Sequence, residues 1–134
     1  MRLLPILASL EIATGVGIAI FWLLFFSVGI APTHPPPRYF AFEYSFVLSD
    51  IALSLALLIA GTLHFQGRPL GRDLSLTCAG SLVFLGLVDF GFNARNGIYT
   101  NDLVDGVLAA GINLWCLGLG IFIVMSISGI ERVK

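Results

Sequence analysis

Four apolar stretches dominate this chain, and each meets the roughly 20 residues that a helix needs to cross a hydrocarbon core about 30 Å thick. They run over residues 4–31, 43–64, 74–93 and 103–130. The first is broken only by Glu11, the second carries Asp50, the third carries Asp89, and the fourth has no charge after Asp105 until its end. In lipid only a helix or a closed barrel satisfies its own backbone hydrogen bonds, and barrel strands would alternate in polarity. No such alternation occurs. The expected fold is therefore all-α, a polytopic antiparallel four-transmembrane-helix bundle that forms a single integral membrane domain over residues 1–134.

The first stretch is too long for the apolar core of a cleaved signal peptide and holds Glu11 inside it, so it reads as a retained span. Its length requires tilt or an interfacial start, and Pro5 falls where the first turn of a helix tolerates proline. Composition agrees with a lipid solvent: DEKR make up 11% against roughly 25% in soluble domains. A soluble globular enzyme and a disordered chain are excluded. Two cysteines cannot build a disulfide scaffold, and a net charge of −1 leaves no basic face for nucleic acid.

Four spans place Arg2, Arg68, Arg72, Arg132 and Lys134 on one side and Arg38 and Arg95 on the other. By the positive-inside rule both termini are expected to be cytoplasmic. Short tails and the lack of a targeting segment lead us to expect a multi-pass protein of a bacterial cytoplasmic (inner) membrane.

The loops carry their own signals. Pro32-Thr33-His34-Pro35-Pro36-Pro37-Arg38 is held near polyproline geometry and forms a stiff strap. Tyr39, Phe40, Phe42, Tyr44 and Phe46 follow it at the level of an aromatic belt, or as an aromatic lid over a pocket. The 66–73 connection is short, which makes spans two and three antiparallel neighbours, and its arginines suit anionic headgroups. Asn96-Gly97 suits a helix C-cap, and Asn101 or Asp102 suits an N-cap.

Positions three, four, seven or eleven apart share a helix face. Glu43, Asp50, Ser54, Leu57, Gly61 and His64 align on the second span, and Ser75, Cys78, Gly86, Asp89, Asn93 and Asn96 on the third. Asp102, Gly106, Ala109, Asn113, Cys116 and Gly120 align on the fourth, and Glu11, Gly15, Ile18, Trp22 and Gly29 on the first. The small residues need no function, since they let helices approach in lipid. The acids differ, because an intramembrane ionisable group is by default a candidate functional site.

Helix rise puts Asp50 and Asp89 each about 10 Å, and Asn113 about 15 Å, inside the outer ends of their helices. We therefore expect one polar cavity in the outer half, walled by Asp50, Asp89, Asn93 and Asn113, with Glu43, Arg95, Asp102 and Asp105 at its mouth. Close carboxyls would share a proton or bind a cation, whereas Arg95 folded inward would make a structural link, and polar bonding across helices could equally serve packing alone. Glu11 counts from the other side and falls outside this cavity.

His34 and His64 lie on opposite sides, which excludes a bis-histidine haem within one chain, and Cys78 and Cys116 form no C-x-x-C pair. No metal site, phosphate loop or nucleophile elbow is present, and the sequence specifies no cofactor. Three functions fit: binding of a small cationic or amphipathic ligand or a proton; an accessory subunit in a larger membrane complex or homo-oligomer; and an intramembrane enzyme that acts on a lipid-soluble substrate. The lipid bilayer is the one partner common to all.

Overall fold

The computed structural model describes residues 3–131, and its regular structure there is helical throughout. The order is α1 (Leu3–Ser27), α2 (Tyr39–Tyr44), α3 (Val47–Phe65), α4 (Pro69–Arg95), α5 (Ile98–Asn101) and α6 (Leu103–Glu131). Helices α1, α3, α4 and α6 are long and apolar enough to cross a membrane, which makes the chain a multi-pass membrane protein with a helix-bundle core. Arg2, Arg132 and Lys134, on which the charge bias partly rests, lie outside the described residues.

Boundaries differ from the expected spans where local chemistry intervenes. Helix α1 stops at Ser27 because the Val28 and Gly29 N–H groups both close on the Leu24 carbonyl and Gly29 turns left-handed at φ 75°, ahead of Pro32. Helix α4 starts early, at Pro69, whose missing N–H costs nothing at the first helical position. Only residues 66–68 then join α3 to α4, so the two run antiparallel.

The expected second span is cut in two. Residues 39–44 form the separate short helix α2, in which Phe42 stacks on Phe92 with ring centroids 3.8 Å apart and Tyr39 is buried. Helix α3 then begins at Val47 and leaves Asp50 in its first turn. Asp50 is thus nearer the end of its helix than the expected 10 Å, and the partial positive charge of a helix N-terminus favours a carboxylate there.

Helix α1 packs on α3, α3 on α4 and α4 on α6. The Trp115 indole N–H on α6 donates to Thr14 Oγ1 on α1 at 3.1 Å, which brings the fourth helix back to the first. Close approach depends on glycine: a Cβ at Gly61 would come 2.7 Å from the Ala8 carbonyl oxygen, and one at Gly120 would come 2.8 Å from that of Ala79. The Ser54 hydroxyl uses one such approach to donate to the Gly15 carbonyl at 2.7 Å.

Two apolar clusters result. Leu7, Leu53, Leu57, Leu82, Leu119, Ile123 and Ile127 fill one together with the thiols Cys78 and Cys116, which are free. Trp22, Phe25, Tyr39 and Ile98 form the other at the end that carries the proline strap. Large apolar side chains such as Leu23, Leu48, Phe84, Leu114 and Met125 are exposed, as a lipid-facing surface allows.

Candidate functional site

The faces that gather polar and small residues in the sequence turn inward. Asp50, Ser54, Leu57 and Gly61 are buried on α3, Ser75, Cys78, Gly86 and Asn93 on α4, and Gly106, Asn113, Cys116 and Gly120 on α6. At the strap end these faces bring carboxyls from three helices together. Asp50 is 9% exposed, and its Oδ2 accepts the Trp22 indole N–H at 3.0 Å. Asp89, half-buried on α4, accepts the Asn93 side-chain N–H at 3.1 Å and lies within reach of the Asn113 amide. The charge of Asp89 acts on Asp50, and both act on Glu43 of α2.

The Asn113 amide donates to the Tyr99 hydroxyl, which ties α6 to the short α5. Its Oδ1 has no partner, and neither has Asp50 Oδ1; both atoms are sealed from solvent. A buried polar oxygen without a partner carries a desolvation cost of about 1–3 kcal/mol.

Glu43 is pushed up to about 7, first by burial and then by the charges of Asp89 and Asp50, while its hydrogen bond with Tyr39 pulls the other way. Burial and the charges of Glu43, Asp89 and Asp105 raise the Tyr39 hydroxyl above its ordinary value, so it stays a donor. Glu43 is thus poised to change charge close to neutral pH beside Tyr39.

The other expected site residues take different places. Arg95 is exposed in the last turn of α4, where a cation suits the helix C-terminus, and it is not among the charges acting on either aspartate. Asp102 caps α6: its Oδ1 accepts the Val104 and Asp105 N–H groups at 2.9 and 3.1 Å. Asp105 Oδ2 accepts the Thr33 backbone N–H at 2.7 Å and so latches the strap to the start of α6. Beneath that latch Pro32, His34, Ile98, Asn101, Asp102 and Asp105 line a crevice of about 10 Å³, room for roughly one water. Of the expected residues, Glu43, Asp50, Asp89, Asn93 and Asn113 are thus neighbours at the strap end, while Asp102 caps α6 and Asp105 holds the strap.

Sequence reasoning passed over three partners. Trp22 stood on the polar stripe of α1 at seven and eleven residues from Gly15 and Glu11, a visible signal. Tyr39 and Tyr99 lie on the short helices α2 and α5, outside the long spans whose periodicity was read.

A second polar group lies at the opposite end. His64 Nδ1 is 3.0 Å from Glu11 Oε2, with the side chains 5% and 0% exposed. Both residues stood on the inward stripes, but on different helices, so spacing alone did not pair them. Among the described residues no group of three or more His, Cys, Asp and Glu could hold a metal ion.

Compared with protein families, characterised proteins and solved structures, the chain matches none of them.

Proposed function

We propose that the strap-end cluster binds a small organic cation of the amine class. The observation that carries this reading is that Glu43, Asp50 and Asp89 lie in mutual electrostatic reach while the two cations of that end, Arg38 and Arg95, are both exposed. Three carboxyls held in a half-buried space repel one another until a positive charge joins them. A proton supplies that charge when no ligand is present.

The aromatic cover favours an organic cation over a hydrated metal ion, since rings of Trp and Tyr attract ammonium groups through their faces. Trp22 and Tyr39 are buried beside the acids, and Asn113 Oδ1 and Asp50 Oδ1 offer acceptors for an N–H donor. Entry would pass under the strap, which the Thr33 to Asp105 bond holds at one point. On this reading the termini face the cytoplasm of a cell whose cytoplasmic membrane holds the bundle, and the amine site opens toward the outer leaflet, as the charge bias of the whole sequence favours.

Calorimetric titration of phenethylamine and benzyltrimethylammonium into the protein in lipid nanodiscs tests the proposal. A charge-assisted hydrogen bond contributes about 1.5–3 kcal/mol, so Asp89→Asn and Asp50→Asn should each weaken phenethylamine binding roughly 10- to 150-fold. No binding to the wild type, or equal binding to both folded variants, refutes it. A stable larger complex co-purified from native membranes, with these variants leaving it intact and cation-free, would favour an accessory role instead.

A further inference from the structure

We propose that Glu11 and His64 form a separate ligand site whose ligand is a proton, and that its occupancy sets how tightly α1 is held to α3 at the end of the bundle remote from the strap. The pair joins the two helices by a single side-chain contact, His64 Nδ1 to Glu11 Oε2 at 3.0 Å. It is sealed: Glu11 is 0% and the His64 side chain 5% exposed. Each group also keeps one atom without any partner, Glu11 Oε1 and His64 Nε2. A pair built only to fasten helices would satisfy these atoms, because each orphan costs stability in the interior.

Among the described residues, His64 is the charged group that acts on the Glu11 carboxyl. From α4, Ser75 and Cys78 face the carboxyl; the Ser75 hydroxyl donates to the Gly71 carbonyl at 2.8 Å, and Cys78 is 1% exposed. Gly71 lies against the imidazole edge, where a Cβ would meet His64 Cδ2 at 3.1 Å. The buried positions of α6 at this end, Ile123, Ser126 and Ile127, carry no titratable group. Arg68, Arg72 and Asp73 sit at exposed positions of the same end.

With one proton between them the two groups are neutral in sum, whether it rests on the imidazole as an ion pair or on the carboxyl, and the Nδ1 to Oε2 bond holds in either form. A second proton leaves a carboxylic acid facing an imidazolium, one uncompensated charge in a low-dielectric interior. Parting the helices to admit water relieves that cost. Beside the pair, Gly61 meets the Ala8 carbonyl and the side chain of Ile12, a contact of small and apolar groups with no further polar bond between the two helices at that point.

The test is the distance between nitroxide labels at Ile6→Cys and Phe65→Cys, both exposed positions flanking the pair, in the full chain carrying Cys78→Ala and Cys116→Ala in nanodiscs. Between pH 7.5 and pH 5 the distribution should lengthen or broaden by about 2 Å, the scale of helix shifts at packed interfaces. Glu11→Gln keeps a hydrogen-bond acceptor for His64 and still leaves the imidazole to take up an uncompensated proton, so the lengthening on acidification should persist; in His64→Gln no imidazolium can form, and the lengthening should be abolished or reversed. Lengthening on acidification that survives in folded His64→Gln overturns the proposal, as does an unchanged distance in the parent chain or a folded Glu11→Gln chain that no longer responds. The carboxyls of the strap end are intact in both variants, so failure of the amine site leaves this outcome unaffected.

Discussion

Replacing Gly61 by alanine probes the packing on which both polar groups depend. A methyl group there would sit 2.7 Å from the Ala8 carbonyl oxygen and 2.7 Å from Ile12 Cγ1. Ile12 could rotate away, but the Ala8 oxygen is helix backbone, so α1 and α3 must separate. Overpacking of this kind costs about 1–3 kcal/mol, and a backbone obstacle puts it in the upper part of that range. Alanine recovers about 0.8–1 kcal/mol of helix propensity, so the net loss should be about 1–2 kcal/mol. Gly118, in the middle of α6, has nothing within 4 Å of its virtual Cβ, and Gly118→Ala should be neutral or stabilising by up to about 1 kcal/mol. Reversible unfolding in mixed detergent micelles reads both. If the two substitutions shift the midpoint equally and in the same direction, the close backbone approach of α1 and α3 is wrong.

Trp22→Phe removes the donor to Asp50 Oδ2 and should lower stability by about 0.6–1.7 kcal/mol in the same assay, the range of interhelical hydrogen bonds in membranes; no change would mean that Asp50 finds another donor. Glu43 carries its proton to about pH 7 in the folded chain but only to about 4.5 when unfolded, so its contribution is full below pH 4.5 and lost as pH rises through 7. Unfolding midpoints should therefore fall across that window, and Glu43→Gln should flatten the slope; an unaltered slope refutes the assignment. Asp105→Ala frees the Thr33 N–H, and hydrogen exchange at that amide should accelerate about tenfold while amides in mid-α6 keep their rates.

Helix number and inward faces were legible because lipid imposes both: an apolar run must be helical, and small and polar residues must turn from the acyl chains. Asp102 as the cap of α6 and the turn at Gly97 were equally readable, since each is local chemistry within four residues. The break at Ser45 and Phe46 was not. It comes from Phe42 meeting Phe92, a contact fifty residues away in sequence, and it moved Asp50 toward the end of its helix. The Glu11 and His64 contact was hidden for the same reason, because a stripe gives the face of one helix and not the height at which its neighbour matches it.

The molecule is two hairpins side by side, α1 with α3 and α4 with α6, meeting along α3 and α4 and bridged from α1 to α6 by the Trp115 to Thr14 hydrogen bond. Asp50 and Trp22 belong to the first hairpin, while Asp89, Asn93, Asn113 and Tyr99 belong to the second. An occupant seated between the aspartates would therefore act as a rivet across the seam, and drawing the chain out of the bilayer by one end should then need more force at the step that parts the hairpins than at the step that unravels either one.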